Sequence, residues 1–285
     1  MGNMLKFELR RLLKKPSFYI MLGLCVGVAM FFVMTSRNSL NYMIEHMNDV
    51  DRYYEESYVK EYFVKSLSPQ MLALSEFWLI LPTVLAVFVG IFVCEDRVRG
   101  TIKNIYARGY SRSNVFLAKF LISSGTAALL YLLVTASVYL SGMIAFSTAP
   151  FDVQPQTVNG FLLLILGRLV VILATNAAYF MISEMIGSTG FSIAANMFAP
   201  SVVTGILYMI IQIVFLIVAR DDDYSTQYSF IQNIQEYWIY SLATNGFYVE
   251  MESNVYFPHL MASLCYLILF GFLGWLIARK KEVKN

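Results

Sequence analysis

The chain has 285 residues, 58% of them hydrophobic and only 14% charged, with a mean hydropathy of +0.60. That balance is far more apolar than the roughly 45–50% of ordinary soluble domains, so it excludes a soluble globular enzyme and marks an integral membrane protein. The net charge of +2 says nothing by itself, because it conceals an asymmetry between loops; no nucleic-acid partner is expected, and the length suffices for about six spans of roughly 20 residues each plus loops. The three cysteines, Cys25, Cys94 and Cys265, fall within or at the end of apolar segments, so we expect small buried hydrophobes and no disulfide. Cys/His metal spacings are absent, and His46 and His259 are far apart, so no metal site is expected.

In chain order, residues 1–16 come first. Leu5, Leu9, Leu12 and Leu13 recur at helical spacing against Lys6, Arg10, Arg11, Lys14 and Lys15, which predicts a basic amphipathic helix in the membrane surface, ended by Pro16. Residues 17–35 carry no charge and predict the first span. Within it, Gly23 and Gly27 form a small-xxx-small pair that lets another helix approach, a candidate dimer face. Residues 36–76 are polar and acidic, with Met43, Met47, Val50, Tyr54, Tyr58 and Tyr62 on one helical face, which predicts an external amphipathic helix. Further spans are expected at about 77–94 (with Pro82 as a kink), 120–146, 158–183, 191–219 and 257–278. Residues 220–256 form a second external segment, in which Phe230, Ile231, Ile234, Trp238 and Leu242 share a helical face.

Between the second and third spans lies a basic island, residues 95–119, with Arg97, Arg99, Lys103, Arg108, Arg112 and Lys119. With the five Lys/Arg of the first segment and the four of the last, it puts fifteen Lys/Arg on one side against five on the other. By the positive-inside rule both termini and the island are therefore expected in the cytoplasm. One reading makes the island a topology anchor only. A sharper one starts from its order of residues: Glu95, then Gly100-Thr101, then Ile102, Ile105 and Tyr106, then Ser111-Arg112 and Lys119.

That order resembles the first cytoplasmic loop of type-2 ABC exporter permeases, with Gly109-Tyr110 standing where the family has a proline before Ser-Arg. The resemblance implies a short coupling helix from about Thr101 to Ala107, with Ile102, Ile105 and Tyr106 presenting an apolar face to a cleft on an ATPase. Thr101 is expected to cap its first turn, Gly100 to turn the chain from the membrane, and Glu95 to pair with a nearby base. The chain contains no G-x-x-x-x-G-K-[ST] phosphate loop and no soluble segment long enough for a nucleotide-binding domain. The resemblance therefore implies that ATP and Mg belong to a separate ATPase chain, and that no cofactor sits on this one. It also implies a second permease subunit, as a homodimer or a heterodimer, and a re-entrant hairpin between the last two spans.

Proteolytic patterns inside the spans are absent, as are mid-span acids for ion coupling and an internal repeat, which argues against a membrane enzyme and a secondary transporter. An accessory or sensor membrane protein is the alternative that stays open. Arg168 is the plainly ionisable residue at depth, with Thr175 and Asn176 following on nearly the same face. Such a charge faces protein or water, either on a substrate path or in a structural bond. The expectation is thus an all-α, six-span permease of the cytoplasmic membrane, comprising an interfacial helix (1–16) and one transmembrane domain (17–285). Eleven of the nineteen tyrosines lie in the acidic external segments, together with Trp238. This suggests an amphipathic or antimicrobial peptide as cargo, although an interfacial aromatic belt accounts for most of them equally well.

Overall fold

The computed structural model describes residues 2–45, 80–145, 158–218, 237 and 253–280. Apart from Tyr237, a turn residue, the described segments are α-helices and their connections: α1 Gly2–Leu13, α2 Pro16–Glu45, α3 Ile80–Val98, α4 Thr101–Ala107, α5 Arg112–Ala145, α6 Val158–Ile186, α7 Thr189–Val218 and α8 Ser253–Lys280. Most of the two expected external segments, and the whole expected turn between α5 and α6, lie outside the described residues. The one visible part of the first external segment continues α2 without a break through Glu45.

Four stretches among the described residues are long and apolar enough to cross a membrane: Pro16–Asn38, Arg112–Ala145, Leu162–Ile186 and Tyr256–Lys280. Of the expected six, the one now seen as α3 does not meet that measure. In α3 the last turn is spent on Glu95, Asp96 and Arg97, which shortens its apolar part. Pro82, the expected kink, is the third described residue of α3, and the residues before Ile80 lie outside the described ones.

The long helices alternate in direction. The C-terminal end of α3 meets that of α6, where the Cys94 thiol donates to the Ser183 carbonyl at 3.6 Å. The N-terminal end of α5 meets the C-terminal end of α8, where the Arg112 guanidinium donates to the Arg279 carbonyl at 3.4 Å. Central in the bundle is α6, which packs against α3, α5, α7 and α8; α5 carries α1 and α2 on its other flank. Leu85, Val89, Leu130, Ile172 and Phe180 are fully buried between them. Phe116 and Phe120 stack on α5 at 5.8 Å, and Phe180 of α6 meets both edge-on at 5.3 and 5.5 Å. Such offset and edge geometries suit the ring quadrupole.

Apolar side chains face lipid on both surfaces, so the helices are also joined by polar groups and by close approach. Ser192 of α7 donates to the Ser183 hydroxyl of α6 at 2.6 Å, and the Asn196 amide donates to Ser183 and to the Ala86 carbonyl of α3 at 3.0 and 3.2 Å. Where α3 crosses α7, a Cβ placed on Gly90 would lie 3.1 Å from the Ile193 backbone nitrogen and 3.3 Å from its Cα. Backbone cannot swing aside as a side-chain tip can. Gly90→Val is therefore expected to push α7 off α3 and destabilise the bundle by about 1–3 kcal/mol, read as a lower unfolding temperature in detergent. An unchanged temperature would show that this crossing is loose.

Exposure of Cys265 corrects the expectation that all three cysteines are buried; Cys25 and Cys94 are. Its position on the outward face of α8, beside the exposed Ile268 and Leu269, places it among lipid-facing residues instead.

Candidate functional site

The ends of α1, α3, α5 and α6 converge at one end of the bundle, and the basic island lies there. Most of the island is helical. α3 runs through Glu95 to Val98, and Gly100, at φ 68°, makes a left-handed turn that an L side chain rarely adopts. α4 then occupies Thr101–Ala107, the span expected for a short helix. A second left-handed residue, Gly109 at φ 84°, turns the chain into α5. Ser111 caps α5: its hydroxyl accepts from the Asn114 N–H at 3.3 Å while its carbonyl accepts from Val115 at 3.1 Å.

Thr101 does not cap α4, which corrects the expectation. No side chain caps that helix; the Thr101 hydroxyl instead donates to the Asp96 carboxylate at 3.0 Å and lies 3.3 Å from its carbonyl. A cap would use the hydroxyl oxygen as acceptor for a first-turn N–H, but Thr101 is itself the first helical residue and its hydroxyl donates to the charged, 3% exposed Asp96.

Asp96 is the hub of a buried ion cluster. It pairs with Arg11 of α1 and with Lys119 of α5, the latter at 2.5 Å, and Lys119 is only 2% exposed. The Arg11 guanidinium also lies 3.0 Å from Glu8, one turn earlier on α1, and over the Phe92 ring of α3 at 5.9 Å. Beside this core, Glu95 pairs with Lys15 and, at 3.1 Å, with Arg99. Arg97 pairs with the Glu184 carboxylate of α6 and donates to its carbonyl at 3.1 Å. Four of these six pairs join different elements, tying Arg11 of α1, Lys15 beyond it, Lys119 of α5 and Glu184 of α6 to the end of α3.

Two carboxylates in this cluster respond in opposite directions. Burial pushes the Asp96 carboxyl upward, but the Lys119 ammonium and the Arg11 guanidinium outweigh it and hold the group far below the ordinary carboxylate range. Burial also pushes up Glu8, fully enclosed on α1, and there the attraction of Lys119 and Arg11 does not compensate. Both Glu8 oxygens are buried without a hydrogen-bond donor, Oε2 meeting Arg11 only as an ion pair at 3.0 Å.

The apolar face of α4 turns inward, contrary to expectation. Ile105 is buried with Met4, Val115 and Ala118, and Tyr106 and Tyr110 pack against that group. The Arg112 guanidinium sits 6.0 Å above the Tyr106 ring. Ile102 is half-buried, and the exposed surface of α4 consists of Thr101, Lys103, Asn104 and Ala107, followed by Arg108. So Glu95, Gly100, Thr101, Ile105, Tyr106, Ser111, Arg112 and Lys119 are brought together, but the outward face they leave is polar and basic.

The other expected residues lie apart from this cluster. Arg168 is buried on α6, one turn after Ile165, whose carbonyl accepts from the Tyr131 hydroxyl at 3.2 Å. Thr175 donates to the Val171 carbonyl of its own helix at 2.9 Å. Asn176, fully buried, accepts from Ser123 at 2.7 Å and donates to Ser124 at 3.2 Å, and so ties α6 to α5. Thr175 and Asn176 are therefore packed between helices, not arrayed along an open wall. Gly23 and Gly27 have no atom within 4 Å of an added Cβ, so their face of α2 is open. Sequence reasoning missed Glu8 and the role of Arg11. The available signal was Glu8 itself, the single acid among the first sixteen residues.

A scan against protein-family models matches residues 4–212 to the family described as ABC-2 family transporter protein. The chain belongs to the ABC-2 transporter family. As an ABC-2 family member it is a multi-pass membrane protein and a permease component of an ABC transporter, associated with an ABC ATPase. The matched residues take in every member of the ion cluster, from Glu8 to Glu184. A search of curated proteins finds no match.

Proposed function

We propose that this ABC-2 permease is the transmembrane subunit of an exporter whose separate ATPase docks on α4. The observation that carries the proposal is the buried ion cluster beneath α4. A docking helix can move the spans only through a stiff contact, and here Asp96 joins the entry to α4, through Thr101, to α1 and α5 at once. The exposed residues Lys103, Asn104 and Arg108 make the docking surface basic, so its counterpart on the ATPase is a cleft lined with acids. ATP and Mg belong to that partner.

In this reading the six long helices all span the cytoplasmic membrane, with α1, α4 and both termini on the cytoplasmic side. Two permease subunits, alike or related, assemble around the path, and Gly23 and Gly27 on the open face of α2 suit a close helix crossing. Amphipathic cationic peptides, including antimicrobial peptides, are the cargo that the acidic, tyrosine-rich outer segments fit best. Arg168, with Thr175 and Asn176 about two turns further along α6, then supports the wall of that path from within the bundle.

Co-purification tests the assignment: expressed with its genomic neighbours, the chain should bring down an ATPase, and recovery of the permease alone under mild detergent would overturn it. Topology has its own check. Single cysteines at residues 50 and 225 are expected to react with a membrane-impermeant maleimide added outside intact cells, and one at residue 105 only after permeabilisation. Labelling of 105 but not 50 from outside would reverse the orientation and remove α4 from the cytoplasm.

A further inference from the structure

Between α2 and α3 runs an apolar groove of about 800 Å³, within the roughly 300–1,000 Å³ typical of ligand pockets. Met21, Cys25 and Val28 form one wall and Val84, Val87 and Ile91 the other. Ile20 and Leu24 are exposed at its rim, so it opens sideways toward lipid. Its walls extend over residues 17–28 of α2 and 83–95 of α3, which at 1.5 Å per residue is about 17–18 Å. That is about the depth of one leaflet, half of a hydrocarbon core of about 30 Å.

The groove is not uniform along its length. At the α4 end it is closed by Lys15, Glu95 and Arg99. Glu95 bridges the two cations, pairing with Lys15 and, at 3.1 Å, with Arg99, whose side chain is still 70% exposed. Two cations against one carboxylate leave a net positive charge at the end of an apolar slot. Arg10 of α1 and Lys14 just beyond it are also exposed.

We propose that this groove is a binding site for an anionic phospholipid of the leaflet that bathes the α4 end. An acyl chain lies between Val28 and Val87, and the phosphate sits between Lys15 and Arg99. The recognition chemistry is a long apolar body with a negative head at one end, which neither a neutral lipid nor a free phosphate supplies. The site is distinct from the α4 docking surface and does not depend on the direction of transport. It does place the lipid head on Glu95's partners, so occupancy would compete with Glu95 for Lys15 and Arg99.

Native mass spectrometry of the purified full chain tests this after delipidation, with phosphatidylglycerol, phosphatidylcholine or inorganic phosphate added back. We expect one phosphatidylglycerol retained per chain, at least tenfold over phosphatidylcholine. Val87→Trp, which fills the slot, should abolish that retention, while Arg99→Gln should remove the preference for phosphatidylglycerol and leave phosphatidylcholine unchanged. Val28→Trp fills the opposite wall and serves if Val87→Trp does not fold, as judged by thermal unfolding in detergent. Equal retention of both lipids, or parental retention in the tryptophan variant that folds, would mean ordinary boundary lipid and overturn the proposal. So would binding of inorganic phosphate alone with equal strength to parent and variant, which would make it a simple anion site. A shift from dimer to monomer on filling the slot would show that a second copy of the chain occupies the groove, and would overturn it too.

Discussion

Asp96→Ala is expected to be among the most damaging single changes in this permease. It removes the shared partner of Lys119 and Arg11, and Lys119 is almost wholly enclosed. A buried cation left without its carboxylate costs about 3–5 kcal/mol, which for a protein of marginal stability is a large part of the total. Lys119→Met should cost less, because Asp96 keeps Arg11 and the Thr101 hydroxyl. The double variant should recover part of the loss, since it removes the stranded ammonium as well as the carboxylate. Thermal unfolding of the four proteins in one detergent reads this cycle. Strict additivity would mean that the two groups do not sense each other and that the cluster is not a unit.

Acidity should distinguish the two carboxylates of the same cluster. Asp96 is held below its unfolded value of roughly 3.9. Its contribution is therefore full above that pH and is lost as pH falls below it toward the folded value. Glu8 is shifted the other way. A raised group favours folding below its unfolded value of roughly 4.3 and loses that contribution as pH rises through the folded one. Glu8→Gln should consequently raise the unfolding temperature at pH 8 and have less effect at pH 5, where the native carboxyl is closer to its protonated form. A drop at pH 8 would show that the attraction of Lys119 and Arg11 outweighs desolvation after all.

Reversal of the charges on α4 is the second change with a large expected effect. Lys103→Glu with Arg108→Glu puts two acids on the exposed face where the proposed ATPase cleft is acidic. Like charges brought together at an interface cost several kcal/mol, enough to weaken retention of the ATPase by about 100-fold. Insertion should survive, because both side chains are exposed and the other Lys/Arg of the island remain. Ile105→Asp serves as the contrast: it buries an unpaired charge against Met4, Val115 and Ala118 and should lower folded yield, not merely docking. Parental ATPase retention by the doubly reversed protein would place the contact elsewhere.

The helical layout was legible because uninterrupted apolar runs of span length leave few alternatives in lipid, and α4 was legible from the residues around it. Gly100 and Gly109 mark its two turns, and both adopt the left-handed backbone that makes glycine informative. What could not be read was which face each short helix turns inward. The leucines of α1 suggested Leu5, Leu9, Leu12 and Leu13, yet Leu9 and Leu13 are exposed and the enclosed stripe is Met4, Glu8 and Leu12. In a membrane protein an exposed leucine faces lipid at no cost, so apolar periodicity no longer identifies the packed side. Lys119 was taken as the end of a watery loop because it is charged, whereas it lies in α5 and its partner Asp96 is 23 positions earlier in the chain. Long-range pairing of that kind leaves no local pattern.

The unequal distribution of charge along the bundle has a mechanical consequence. Among the described residues, the ion pairs named above bind α1, α3, α5 and α6 at one end, while further along α5 and α6 meet through apolar packing and the Ser123–Asn176 hydrogen bond. Such a bundle behaves like tongs riveted near the handle. α5 has 34 residues and is about 50 Å long. A tilt of roughly 10° about the riveted end therefore carries its far tip through roughly 9 Å, several times the movement at α4 itself. A small push at the handle becomes a wide opening at the jaws.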